Sequence, residues 1–307
     1  MQTTNIVDEN IIGIFPIFTL QIVYDMEPKK QILLPIDFEK VSESMIKLGF
    51  SIAKVTDSEI VILNVADIKN ISEINFAPFS DRIEEMKKQG SLPNVKYQIV
   101  LKKGVPESEI LEYAEKNNVL LVVMDTRVKE EKQHDLIGSV AAEVIDACCV
   151  PVMAIPRNIP IDDFTYFDSI SIASALDVLD LDPFKRIMFM FADYKYDLNI
   201  VHILEKKEHA TDYQEILKDI DAFIKENHPK VNVTYSIIPL EKSVSTDLVN
   251  YFLASSFKLM IIKNDNKRSI LNRLFRTSLP KKLVYHAQAP LLVLPINESF
   301  WEKLRIH

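Results

Sequence analysis

The sequence predicts an α/β fold made of two tandem, doubly wound, parallel five-stranded sheets. Three observations predict it. Short apolar runs alternate with amphipathic stretches along nearly the whole chain. The interior runs are continuous in apolar residues, as strands covered on both faces require. The series then repeats with a period of about 140 residues, which is too long for a solenoid and means a duplicated domain.

In the first half, QILLPID (31–37) reads as a strand ending in Asp37. Residues 40–54 place Val41, Met45, Leu48 and Ile52 at helical spacing. EIVILNV (59–65) is the second strand, followed by a helix within 72–89 and the strand VKYQIVL (95–101). A helix over 107–118 has Pro106 near its start, where a missing N–H costs nothing. VLLVVM (119–124) is a buried strand, 139–147 is helical, and VPVMAIP (150–156) closes the set.

The second half repeats the order. SISIASALD (169–177) is a strand ending in Asp177. A helix over 180–197 is opened by Asp180, Asp182 and Pro183. The strand NIVHILE (199–205) follows, then an amphipathic helix over 211–227 and the strand VNVTYSII (231–238). A helix at 244–254, the strand KLMIIK (258–263), a helix at 278–287 and APLLVLP (289–295) complete it. Asp37 and Asp177 stand at the same distance before the next apolar runs, which start at Glu59 and Asn199. GSVAAEVIDACCVPVMAIP (138–156) matches TSLPKKLVYHAQAPLLVLP (277–295), with Ser139/Ser278, Pro151/Pro290 and Pro156/Pro295 coinciding. The predicted units are an extension at 1–27, a first domain at 28–157 and a second at 158–307. The linker falls at about 157–168 and is rich in Pro, Asp and aromatic residues.

Composition narrows the function. Of 307 residues, 48% are hydrophobic and 26% charged, an ordinary globular balance. There are only 5 glycines, none in a GxG pair and none after Gly138, which removes the GxGxxG turn and the Walker loop. The net charge of −8 disfavours nucleic acid as a partner. Cys148 and Cys149 are adjacent and have no other cysteine to pair with, so they read as reduced thiols in a cytoplasmic protein. The 6 histidines show no ligand spacing, so no metal site is expected and they read as surface or strand residues. The apolar run at 11–23 is interrupted by Pro16, Thr19 and Gln21, too short to span a membrane, and is preceded by Asp8 and Glu9 where a signal peptide wants positive charge. Residues 1–25 therefore read as an extension outside the fold. Trp301 reads as packing a terminal helix. No GxSxG elbow is present, and no catalytic residue is assigned.

From ILLPIDF (32–38), GVPESEILEYA (104–114), the twice-repeated closing segment and the run 267–295, the chain resembles the universal stress protein family in its tandem two-domain form. The resemblance covers about 28–296. It implies strand order 3-2-1-4-5 in each half and pairing through the last strands, here within one chain. It also implies that a nucleotide, ATP or AMP with Mg²⁺, would sit where the strand order reverses. The candidates in the first half are Pro35 and Asp37 beside base and ribose, Val65 at the end of the second strand, and Gly138, Ser139 and Val140 opening a helix toward phosphate. Members that bind ATP carry Gly, two residues, Gly, nine residues, Gly-Ser/Thr. The matching positions here are Asp125, Val128, Gly138 and Ser139, so two of three glycines are lost and one is replaced by a carboxylate. Ser139 reads first as a simple helix cap and second as a residual phosphate seat, while Asp37 reads equally as a turn or capping residue and Val65 as core.

The second half has Asn264, Lys267, Thr277 and Ser278 at those positions and no glycine. Its anion candidates are Asp177, Lys267, Arg268, Arg276 and Ser278. Eight basic residues against Asp265 alone fill 258–282, read either as a solvated face or as an anion site built from side chains. The leading expectation is a stress-response protein that binds and does not catalyse, with degenerate nucleotide motifs and no certain cofactor. Two alternatives stay open: an ATP- or AMP-binding sensor using the first half, with slow hydrolysis, and a scaffold holding an acidic partner on the second. Expected partners are the chain's own two halves, a second copy, and an unidentified protein, with no membrane.

Overall fold

The computed structural model describes residues 29–38, 41–66, 75–126, 139–157, 159–176, 188, 194–263 and 289–295. Its strands are β1 (Gln31–Pro35), β2 (Glu59–Ala66), β3 (Tyr97–Lys103), β4 (Val119–Thr126), β5 (Val152–Pro156), β6 (Ser169–Ala173), β7 (Asp197–Leu204), β8 (Asn232–Pro239), β9 (Leu259–Lys263) and β10 (Leu291–Leu294). The described helices are α1 (Glu43–Val55), α2 (Ala77–Lys88), α3 (Pro106–Lys116), α4 (Ser139–Ala147), α5 (Gln214–Asn227) and α6 (Val244–Ala254). Among the described residues, no helix is long and apolar enough to cross a membrane.

All ten strands join one sheet, in the order β3-β2-β1-β4-β5-β10-β9-β6-β7-β8. The order 3-2-1-4-5 thus occurs twice, as the family resemblance implies. Every neighbouring pair is parallel except β5 and β10, which run antiparallel and join the halves through their last strands. Parallel strands need crossovers, and among the described residues each of α1 to α6 lies in one. That explains why Ile32, Leu33, Leu34, Leu121, Val122 and Val123 are at most 1% exposed. Each such side chain contributes about 1.5–3 kcal/mol relative to exposure.

Local signals position α1. Ser42 caps it, its hydroxyl accepting from the Met45 N–H at 3.2 Å. Gly49 lets the helix lie close on β1, since a Cβ there would stand 2.7 Å from Leu34 Cδ2. The linker then folds back over the same helix. Ile161 N–H donates to Ser44 Oγ at 3.1 Å, Phe164 N–H to Ser51 Oγ at 3.1 Å, and Lys47 Nζ to Asp162 at 2.8 Å. Ser44 and Ser51 are seven apart, two turns along one helix face.

Three element boundaries depart from expectation. β6 stops at Ala173, because the Ser174 hydroxyl accepts from Leu176 N–H at 2.9 Å and Leu176 takes a φ of 54°. β7 begins at Asp197, so the helix expected over 180–197 does not reach its predicted end. Ala210–Tyr213 is a 3-10 turn ahead of α5. The second half also differs inside. On one face Asn199 Nδ2 donates to Thr234 Oγ1 and Ser236 Oγ, while its Oδ1 accepts from the Ser171 and Tyr251 hydroxyls. The first half fills the matching strand positions with Leu33 and Val61.

Candidate functional site

In an open sheet, ligands sit beyond the carboxyl ends of the strands where the order reverses. In the first half that point lies between β1 and β4. Ile36 N–H donates to the Leu63 carbonyl at 2.9 Å, and Asn64 Nδ2 donates to the Ile36 carbonyl at 2.8 Å. The chain then leaves the sheet at Asp37, which is exposed. Pro35 ends β1 beside Leu63. Val65 lies half-buried near the end of β2, packed against the core, so β1 and β2 bring Pro35, Asp37 and Val65 to one edge. Val140 sits in the first turn of α4, packed against the same core, and Ser139 begins that helix. Gly138, Asp177, Lys267, Arg268, Arg276 and Ser278 lie outside the described residues, as do Val128 and Trp301.

The carboxylate of Asp125, at the end of β4, has a side chain only 7% exposed. It accepts from the Ser42 N–H at 2.9 Å and from the Ser42 hydroxyl at 2.5 Å, with Arg157 Nε at 3.5 Å. Ser42 in turn caps α1, so an internal anion already meets the positive end of that helix. Sequence reasoning marked Asp125 as a lost glycine. It missed Ser42 and Arg157; the only local signal was a serine just ahead of an apolar helical pattern.

Burial pushes the Asp125 carboxyl above its ordinary value, while the two Ser42 hydrogen bonds and Arg157 pull it down. The folded state therefore holds this proton more tightly than the unfolded chain does. The resulting stability is present below the ordinary carboxyl value and is lost as pH rises through the raised one. Asp125→Asn should flatten that part of the profile and gain about 1 kcal/mol at neutral pH relative to the wild type. Thermal melts from acid to neutral pH check this, and an unchanged pH slope in the variant contradicts it.

The register also corrects the match between halves. Gln31 pairs with Glu59, and Ser169 with Asp197. Ser174 N–H donates to the Val201 carbonyl as Ile36 does to Leu63. The counterpart of Asp37 is therefore Ala175, not Asp177, because β7 starts two residues earlier than its apolar run suggests. Likewise, Asp125 stands beside Ile155 and Lys263 beside Leu294, which makes Lys263, not Asn264, the counterpart of Asp125. The sign of charge at the end of the fourth strand is inverted between the halves.

Among the described residues, no group of three or more His, Cys, Asp or Glu side chains is arranged to hold a metal. Neither cysteine is in a disulfide, and burial pushes the Cys148 thiol up to about 12, which makes it unreactive. His202 lies in β7. His228, by contrast, is neither a surface nor a strand residue. It is 1% exposed at the end of α5 beside Phe223, and burial holds its pKa down.

The strand order and the site at its reversal define a doubly wound α/β protein built twice in one chain. The model of the universal stress protein family matches residues 29–156. Universal stress protein MJ0531 of Methanocaldococcus jannaschii is 31% identical over 140 residues, spanning 42% of this chain and 82% of the relative. MJ0577 of the same organism is 23% identical over 155 residues, 42% of this chain and 96% of the relative. The chain belongs to the universal stress protein family. For the fold alone, the crystal structure of a universal stress protein from Archaeoglobus fulgidus matches with a TM-score of 0.61 at 19% identity, over 86% of this chain and 98% of that one. A functionally unknown protein from Pseudomonas aeruginosa matches at 0.63 and 12% identity, over 90% and 96%.

Proposed function

We propose that this stress-response protein acts by binding and not by catalysis, with the nucleotide cradle degenerate in both halves. Asp125 carries the reading. A glycine at that position would let the backbone approach a phosphate. Here a buried carboxylate occupies the place and holds the helix start for itself through Ser42. A second anion a few Å away would meet a repulsion on the order of 1–4 kcal/mol, comparable to what a helix N-terminus returns. The loop that follows adds no relief, with Arg127, Lys129 and Lys132 against Glu130, Glu131 and Asp135. The residues 28–157 and 158–307 act as an intrachain pair, and the two reduced cysteines support a cytoplasmic setting.

Titration calorimetry of the full chain with ATP and Mg²⁺ tests this reading. The expected result is no saturable heat at millimolar nucleotide. A saturable signal with a Kd well below about 1 mM, or a nucleotide retained in native mass spectrometry of the purified protein, would return the chain to the ATP- or AMP-sensing reading built on Asp37, Gly138 and Ser139.

A further inference from the structure

The two halves use the same register position, near the end of their second strands, to hold the end of their first. In the first half Asn64 Nδ2 donates to the Ile36 carbonyl at 2.8 Å. In the second, His202 Nδ1 lies 3.0 Å from the Ser174 carbonyl. A carbonyl only accepts, so Nδ1 carries the hydrogen and this tautomer leaves Nε2 as a lone pair. Asn64 has no further task in this contact. His202 has a second nitrogen, and that nitrogen is buried and without a hydrogen-bond partner. The residue is 5% exposed, and Nε2 stands 3.8 Å from Glu208 Oε2, with the Tyr213 ring 4.5 Å from the imidazole. Two acceptors therefore face each other across a gap too wide for a direct hydrogen bond in the neutral form.

We infer that His202 is a proton-operated latch on the carboxyl edge of the second half. Proton uptake at Nε2 turns the facing lone pairs into an N–H···O bond to Glu208. Glu208 also accepts from the Glu205 N–H at 2.8 Å, so the new bond draws the turn after β7 onto the sheet. Through Nδ1 the same ring holds Ser174, whose hydroxyl fixes the left-handed Leu176 where the chain leaves β6. One proton thus couples the two loops that frame the strand ends. Among the described residues, the titratable and charged groups on this side are Glu208 and Tyr213, with Glu205, Asp212 and the exposed Lys206, Lys207 and His209 on the same turn. The residue just after β6 contributes the Ser174 carbonyl, and the register partner in β8 is the apolar Ile237.

The test is amide hydrogen exchange of the full chain, corrected for intrinsic pH dependence, from about pH 8 to about pH 5.5, the range in which imidazoles titrate. Exchange within 205–213 should slow about threefold or more on acidification in the wild type. His202→Asn, which installs the first half's own residue, should fold and lose that dependence. Glu208→Gln should keep the fold and weaken it. Equal pH dependence in His202→Asn and the wild type overturns the inference, as does a wild type whose 205–213 exchange does not change. If His202→Asn does not fold, proton-detected nitrogen spectra of the wild-type imidazole decide instead. Nε2 protonation coincident with slowed exchange supports the latch, and a ring that stays neutral while exchange slows defeats it.

Discussion

Replacing Leu292 by Asp should destabilise the chain by more than about 4 kcal/mol and split its unfolding into two transitions. Leu292 is 0% exposed, stands opposite Met153 in the antiparallel seam and beside Ile261 in β9. A carboxylate there has no described cation to pair with and loses its water, a cost of several kcal/mol. β10 is also the strand through which the sheet is continuous, so the damage falls on the coupling between halves as well as on the second core. The first half retains five strands in its own order and should melt later. Urea unfolding followed by circular dichroism checks this, with Leu292→Met as a control that should cost less than about 1.5 kcal/mol. A single transition shifted by under about 1 kcal/mol would mean that the seam tolerates the charge and that the halves still unfold as one unit, against this expectation.

Asn199→Val should cost about 2–4 kcal/mol even though Val61 occupies the same place in the first half. The Ser171 hydroxyl, on a residue 0% exposed, donates to Asn199 Oδ1 at 3.2 Å. The Tyr251 hydroxyl lies 2.8 Å from that oxygen and 2.9 Å from Ser236 Oγ, so it keeps a neighbour when Asn199 is gone, whereas Ser171 does not. Adding Ser171→Ala removes the orphaned group and should restore about 1–2 kcal/mol, a non-additivity expected of residues in one network. Chemical denaturation of the two single variants and the double variant measures it. Strictly additive losses would show that the network is a set of independent contacts.

The strands were legible because a strand covered on both faces must be an unbroken apolar run, and the duplication followed from finding the series twice, while the strand order itself came from the family resemblance. What stayed hidden depended on partners distant in sequence. Ser171 and Asn199 look like lapses in apolar runs, and only Thr234, Ser236 and Tyr251 explain them. The polarity of Asp125 could be read as a lost glycine, but its partner Ser42 is 83 residues away. The start of β7 was misplaced because Asp197 and Leu198 continue a helical pattern as well as they begin a strand. That slip moved the match for Asp37 by two residues. The position shared by Asn64 and His202 was missed for a similar reason, since only the sheet register aligns them.

The antiparallel contact between β5 and β10 has a geometric outcome. Because parallel strands within each half share one direction and the seam reverses it, the two strand-order reversals open on opposite rims of a single continuous slab. The edge at Asp37 and the edge at Ser174 therefore face opposite poles, and among the described residues the two are joined by the slab itself and by the linker strapped across α1.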